Sequence, residues 1–164
     1  MPGFEALYKQ TVTLFQRVTV IENSGDSHAG KTVTTHWVPI LLENVHLIVD
    51  RAIIVATYGE QATDNARLHV RYNRSGTDAI VAGRVYYTPK DFARLGDSSG
   101  AISFKFGELF DFFIEGDYTD LGVVNDDSYK NGFYNYMNRT FDNVFVITNV
   151  SKYNLIPHFE ITAK

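Results

Sequence analysis

Asp142-Asn-Val-Phe-Val-Ile-Thr-Asn-Val-Ser-Lys-Tyr-Asn-Leu-Ile-Pro-His-Phe-Glu-Ile-Thr-Ala-Lys164 reads as two strands and a short turn. Val144, Val146, Thr148 and Val150 alternate with Phe145, Ile147 and Asn149, the period of two of a β-strand. The polar segment Ser151 to Asn154 is expected to turn the chain. A second alternation follows, with Ile156, His158, Glu160 and Thr162 on one face and Phe159, Ile161 and Ala163 on the other. Its backbone donors and acceptors need partners, so this last strand needs a slot beside strands made earlier. The rest of the chain is therefore expected to be a β-scaffold that the final hairpin closes.

The preceding segments fit that expectation. Thr11 to Ile21 is a strand with Val12, Leu14, Val18 and Val20 on one face, interrupted by Gln16. Glu22 to Lys31 is rich in Gly, Ser, Asn and Asp and reads as an exposed loop. Thr32 to Leu42 returns as a strand in which Pro39 signals an edge or a bulge. Val45 to Ala56 is the longest apolar run, with a break at Asp50-Arg51 that suggests a bend between two strand pieces or a strand passing into a loop. Tyr58 to Asn65 is a polar excursion, and Ala66 to Tyr72 is a strand. Asn73 to Asp78 is expected to turn, and Ala79 to Thr88 to form one further strand. Pro89 to Gly96 reads as a helix capped by Thr88 and stopped by Gly96. Ile102, Phe104 and Phe106 alternate, Leu109 to Glu115 is a phenylalanine-rich strand, and Leu121 to Val124 is a short one. Residues 126–140 carry aromatics at helical spacing around Gly132, which leaves helix and aromatic loop both open.

About eight to ten strands against one or two short helices make this an all-β chain. The expected fold is an antiparallel β-barrel or sandwich with long loops. With 164 residues and no linker or repeat, residues 1–164 read as one domain. The absence of cysteine removes disulfide, thiol and Cys-based zinc chemistry, and fits a reducing cytosol. A formal charge of −4 argues against a general nucleic-acid coat. No apolar run reaches membrane-spanning length, so no membrane partner is expected. Glycosylation-type triplets at Asn73, Asn138 and Asn149 occur without a secretion signal.

Motifs for catalysis are lacking. His28, His36, His46, His69 and His158 are scattered with no metal-ligand spacing, and neither metal nor cofactor is expected. Asp117, Asp120, Asp126 and Asp127 form an acidic run without the EF-hand pattern. Asp111 and Glu115 are a widely spaced carboxylate pair. Phe133, Tyr134 and Tyr136 with Lys130 and Arg139 suit packing better than a base-stacking surface.

Three stretches carry a resemblance: Tyr8-Lys-Gln-Thr-Val-Thr-Leu-Phe, Trp37-Val-Pro with the following Asn44-Val-His-Leu, and Asn143 to Lys164. In that order they resemble the small β-rich head–tail connection proteins of tailed bacteriophages and prophages. These are often called minor capsid, head-completion or head-closure (stopper) proteins. Residues 97–140 are additional to the usual small stopper barrel. The resemblance implies a non-enzymatic structural subunit of a homo-oligomeric ring in the virion neck, assembled in the host bacterial cytoplasm. Its implied partners are a portal or adaptor protein, tail terminator or tail tube proteins, and packaged DNA that passes the lumen non-specifically. A carbohydrate- or receptor-binding β-sandwich module is the competing reading, and an enzyme on a barrel or cupin-like frame a third. For the neck reading, the polar loops are expected to act as docking arms, through Ser24, Gly25, Asp26 and Gly30 in one and Tyr58, Gly59 and Glu60 in the other.

Overall fold

The structure is a computed structural model that describes residues 8–22, 32–50 and 65–164. Its strands are β1 (Gln10–Glu22), β2 (Thr32–Val49), β3 (Ala66–Arg71), β4 (Asn73–Ser75), β5 (Asp78–Val81), β6 (Arg84–Tyr86), β7 (Ala101–Ile102), β8 (Phe112–Glu115), β9 (Val124–Asn125), β10 (Val144–Tyr153) and β11 (His158–Ala163). Two short helices accompany them, α1 (Pro89–Ala93) and α2 (Phe133–Thr140). Six strands, in the order β1-β8-β10-β11-β3-β2, close into an antiparallel barrel through the β1–β2 pairing, and β9 adds to β2. The all-β expectation holds, as a barrel rather than a sandwich.

The last strand does find a slot. β11 lies between β10 and β3, with Ile161 opposite Val150 on one side and Leu68 on the other. Phe159, Ile161 and Ala163 point into the barrel and are fully buried. The turn comes later than expected: Ser151 to Tyr153 still belong to β10, and the chain turns over residues 154–157.

Closure depends on a bulge. β1 and β2 pair from Glu22↔Thr32 down to Val12↔Leu42, but Gln10 then faces Val45, so β2 carries one extra residue. Asn44 sits there at φ 55, a left-handed conformation that asparagine tolerates. Past the bulge β2 turns from β1 to β3, pairing His46↔His69 through Val49↔Ala66. The Gln10 amide spans the gap, accepting from Leu47 N at 2.8 Å and donating to Leu47 O at 3.2 Å. Thr32 to Val49 is thus one strand where two were expected, with a bulge at Asn44; the break expected at Asp50-Arg51 reaches outside the described residues. Pro39 stands opposite Phe15, where no described strand covers the other side of β2. That matches the edge expectation.

A second sheet, β4-β5-β6-β7, lies against the barrel. Ala79 to Thr88 is not one strand, because a hairpin turn at Ala82-Gly83 splits it. Both residues have positive φ, as a two-residue hairpin turn with the right twist requires. Ala79, Val81, Ile102 and Phe104 share one buried cluster with Val12, Leu14, Phe113 and Phe159 of the barrel. Gln16 joins the two sheets. Its buried amide accepts from Ser103 N at 2.9 Å and donates to Ala101 O at 3.3 Å. The polar interruption in the β1 pattern is therefore a backbone partner for β7 and the residue after it.

A second core sits outside the barrel wall. Phe15, Phe112, Ile114 and Val144 project outward and are covered by Trp37, Val124, Phe133 and Met137. Burying each of these large side chains stabilises by roughly 1.5–3 kcal/mol. Residues 126–140 resolve into a 3-10 turn at Asp126–Ser128 and then α2. Gly132 is the N-cap of α2 at φ 88, not an interior residue, which removes its helix penalty. Phe133 and Met137, one helical turn apart, are the buried face. Helix α1 is capped as expected, with Thr88 Oγ1 accepting from Asp91 N at 3.3 Å, but it ends at Ala93.

Candidate functional site

The expected docking residues Ser24, Gly25, Asp26, Gly30, Tyr58, Gly59 and Glu60 lie outside the described residues, as does His28. The strands that lead into the first loop are described. From Gln16 to Glu22, β1 pairs with β2 alone, since β8 contacts only Val12 to Phe15. The two strands form a ribbon that runs past the barrel wall. Near its end Ile21 and Val33 are direct cross-strand partners, 59% and 60% exposed. Two β-branched side chains side by side in water are unusual for a solvated ribbon and suit a contact surface.

A groove of about 650 Å³ runs along this ribbon. Val18, Ile21, Leu95 and Leu109 line it, with Arg17 and Lys105 at its charged end. Beneath them Asp111 is fully buried. Its Oδ1 accepts from Arg17 N at 2.8 Å and its Oδ2 from Lys105 N at 2.9 Å. Lys105 Nζ lies 3.0 Å from Oδ1 as an ion pair without hydrogen-bond alignment, and 4.1 Å above the Phe92 ring. Burial pushes the Asp111 carboxyl above its ordinary value, against the pull of Lys105. Burial likewise lowers Lys105, against the pull of Asp111. Desolvation thus outweighs mutual attraction for both partners. Arg17 packs its guanidinium over Trp37 at 4.4 Å and Phe110 at 4.8 Å, and its Nε donates to Phe110 O at 3.2 Å. These charges pin the loop before β8 to β1, a structural duty that occupies each of them.

Other candidate groups separate. Glu115 is exposed and accepts from Asn143 Nδ2 at 3.2 Å, so it shares no site with buried Asp111. Within the acidic run, Asp117 Oδ1 accepts from Thr119 N and Oγ1, and Asp126 Oδ1 accepts from Trp37 Nε1 and Phe133 N. Phe133 is buried edge-on against Phe15, and Tyr134 packs on Phe110 and Phe112. Phe133 and Tyr134 pack into the core, as expected, whereas Tyr136 is exposed.

Histidines behave differently from their spacing in sequence. His36 stands apart, opposite Val18 and Asn125. His46, His69 and Glu160 are direct partners across β2, β3 and β11 on the outer wall, and His158 follows two residues before Glu160 on the same face. Ring centroids are 5.7 Å apart for His46–His69 and 5.9 Å for His69–His158. Burial holds His69 below the ordinary histidine value; Glu160 opposes this, while His158, His46 and Arg67 add to it. Spacing along the chain gives no sign of this grouping; only the strand register creates it.

No helix among the described residues is long and apolar enough to cross a membrane. The chain matches no family model, no curated protein and no solved structure.

Proposed function

We propose that the chain is a structural subunit of a tailed-phage neck, set in a homo-oligomeric ring between portal or adaptor and tail. The observation that carries this reading is the β1–β2 ribbon with its exposed Ile21–Val33 pair. A ring needs heterologous contacts, in which one surface of a subunit meets a different surface of the next. A closed barrel hides most of its strand edges, whereas a protruding ribbon offers one. Such an edge can add to a neighbour's sheet, where backbone hydrogen bonds supply affinity and the apolar pair supplies burial. The resemblance of Tyr8 to Phe15, Trp37 to Leu47 and Asn143 to Lys164 to head–tail connection proteins points the same way. The formal charge of −4 suits a lumen through which DNA slides. The competing binding-module reading wants an aromatic patch, but among the described residues the exposed Phe106, Tyr136 and Tyr153 stand on separate elements.

Negative-stain microscopy of the purified protein, alone and with a tailed-phage portal protein, tests the proposal. Rings, or decoration of the portal, are expected for the wild type. Ile21→Asp with Val33→Asp should keep the β-sheet circular dichroism and abolish both. A wild-type chain that stays monomeric in both settings, or a double variant that still assembles, overturns it.

A further inference from the structure

Strands β3 and β11 place two imidazoles and a carboxylate on one patch of the outer barrel wall. The ligand atoms of His69, His158 and Glu160 lie within 4.8 Å of one another, and all three residues are half-buried. Glu160 is the direct cross-strand partner of His69, and His158 sits two residues before it on the same face. Neighbouring strands lie about 4.8 Å apart, so partners on one face present their side chains side by side.

We propose that His69, His158 and Glu160 bind one divalent metal ion of the zinc class, with water in the remaining position. Two neutral imidazoles and one carboxylate are a ligand set that suits zinc. Bond lengths of about 2.0–2.2 Å bring tetrahedral ligand atoms to about 3.3 Å of one another. Rotations of the half-buried His69 and Glu160 side chains cover the difference.

One nitrogen of the His158 ring already has a partner. Its Nδ1 is 2.6 Å from Ile156 O, and a carbonyl only accepts, so Nδ1 carries the proton. Nε2 then keeps its lone pair, the arrangement by which an outer partner fixes the tautomer of a metal-binding histidine. Tyr153 stacks on the same ring at 4.8 Å with an interplanar angle of 10°, which restricts its rotation. His46 lies on the far side of His69. Arg67 and Arg71 share the outer face of β3, and Arg71 is held over the Tyr8 ring at 4.6 Å. Glu160 supplies one negative charge against these two positive ones. The patch is on the convex wall, away from the groove beside β1, so the metal would clamp β3 to β11 rather than act on a substrate. All three ligands come from one chain, so the site stands or falls apart from the neck reading.

Untagged protein, stripped with a chelator and titrated with zinc and with cobalt(II), tests the site. One metal per chain is expected by elemental analysis. Cobalt should give the visible bands of a low-coordinate nitrogen and oxygen site, and the melting temperature should rise on loading. His69→Ala, His158→Ala and Glu160→Gln should each weaken binding by about tenfold or more. All three side chains point outward, and circular dichroism checks that the variants fold. His36→Ala, a histidine elsewhere on β2, should bind as the wild type does. Failure to take up stoichiometric metal overturns the proposal. So does uptake that the three substitutions leave unchanged, or that His36→Ala weakens equally.

Discussion

Trp37 Nε1 donates a hydrogen bond to Asp126 Oδ1 at 2.9 Å, and the same oxygen accepts from Phe133 N at 2.9 Å. One carboxylate therefore ties β2 to the first turn of α2. It satisfies the buried indole and one of the orphan donors at the helix start. Asp126→Ala should cost about 1.5–3 kcal/mol, the range for hydrogen bonds to a charged group. Asp126→Asn should cost less, since its amide oxygen can still accept. Trp37 is the single tryptophan, so urea unfolding followed by its emission reads both variants.

Gly132 is expected to resist substitution for two reasons. Its φ of 88 and ψ of 155 fall in a region that is essentially glycine-only. A Cβ there would also lie 3.3 Å from Asp126 Oδ1. Gly132→Ala should destabilise by about 1–3 kcal/mol, against the gain seen when alanine replaces glycine inside a helix. Thermal unfolding of the variant beside Asp126→Ala checks this, and the two effects should be less than additive because the residues touch.

Gln16→Leu would complete the apolar face of Val12, Leu14 and Val18, and by pattern alone should help. The opposite is expected. Removing the amide leaves Ser103 N without its partner in a buried place, while Ala101 O keeps only the Arg84 Nη1 donor at 3.2 Å. That costs about 1–3 kcal/mol. Chemical denaturation gives the magnitude. Hydrogen exchange should show that protection is lost first in residues 101–103.

Lys105→Met leaves Asp111 buried with two backbone donors and no ion-pair partner. Breaking a buried pair costs about 3–5 kcal/mol, and the remaining donors place this one toward the low end. The loss should also depend on pH. Burial already raises the Asp111 carboxyl, and Lys105 is the main group pulling it down, so its removal raises the carboxyl further. A carboxyl raised in the folded state holds its proton more tightly there than in the unfolded chain. Stability is then gained as pH falls through the folded value, and lost as pH rises. The deficit of Lys105→Met should therefore be larger near neutrality than in mild acid, as urea titrations at both conditions would show.

Strand alternation was legible along the chain because a half-buried strand repeats every two residues whatever it packs against. Phe159, Ile161 and Ala163 face inward as their spacing says, and Thr88 caps α1 through its own side chain. Local chemistry was enough at both places. It was not enough at Asn44, where the strand continues through a bulge, nor at Gly132, which is a cap rather than an interruption. At each, a contact distant in sequence bears on the conformation: β3 beyond the bulge, and Trp37, which holds the Asp126 carboxylate beside the glycine. Gln16 looked like a flaw in a pattern until the backbone of Ala101 and Ser103 came against it. The histidines show the limit most plainly. The period of two puts His158 and Glu160 on one face, but nothing in their spacing along the chain brings His46 and His69 to them, because no local period connects β2, β3 and β11. Alternation sets which face of each strand a residue takes. Only the register, set when the barrel closes on the Asn44 bulge and the final strand, sets which residues on that face become neighbours.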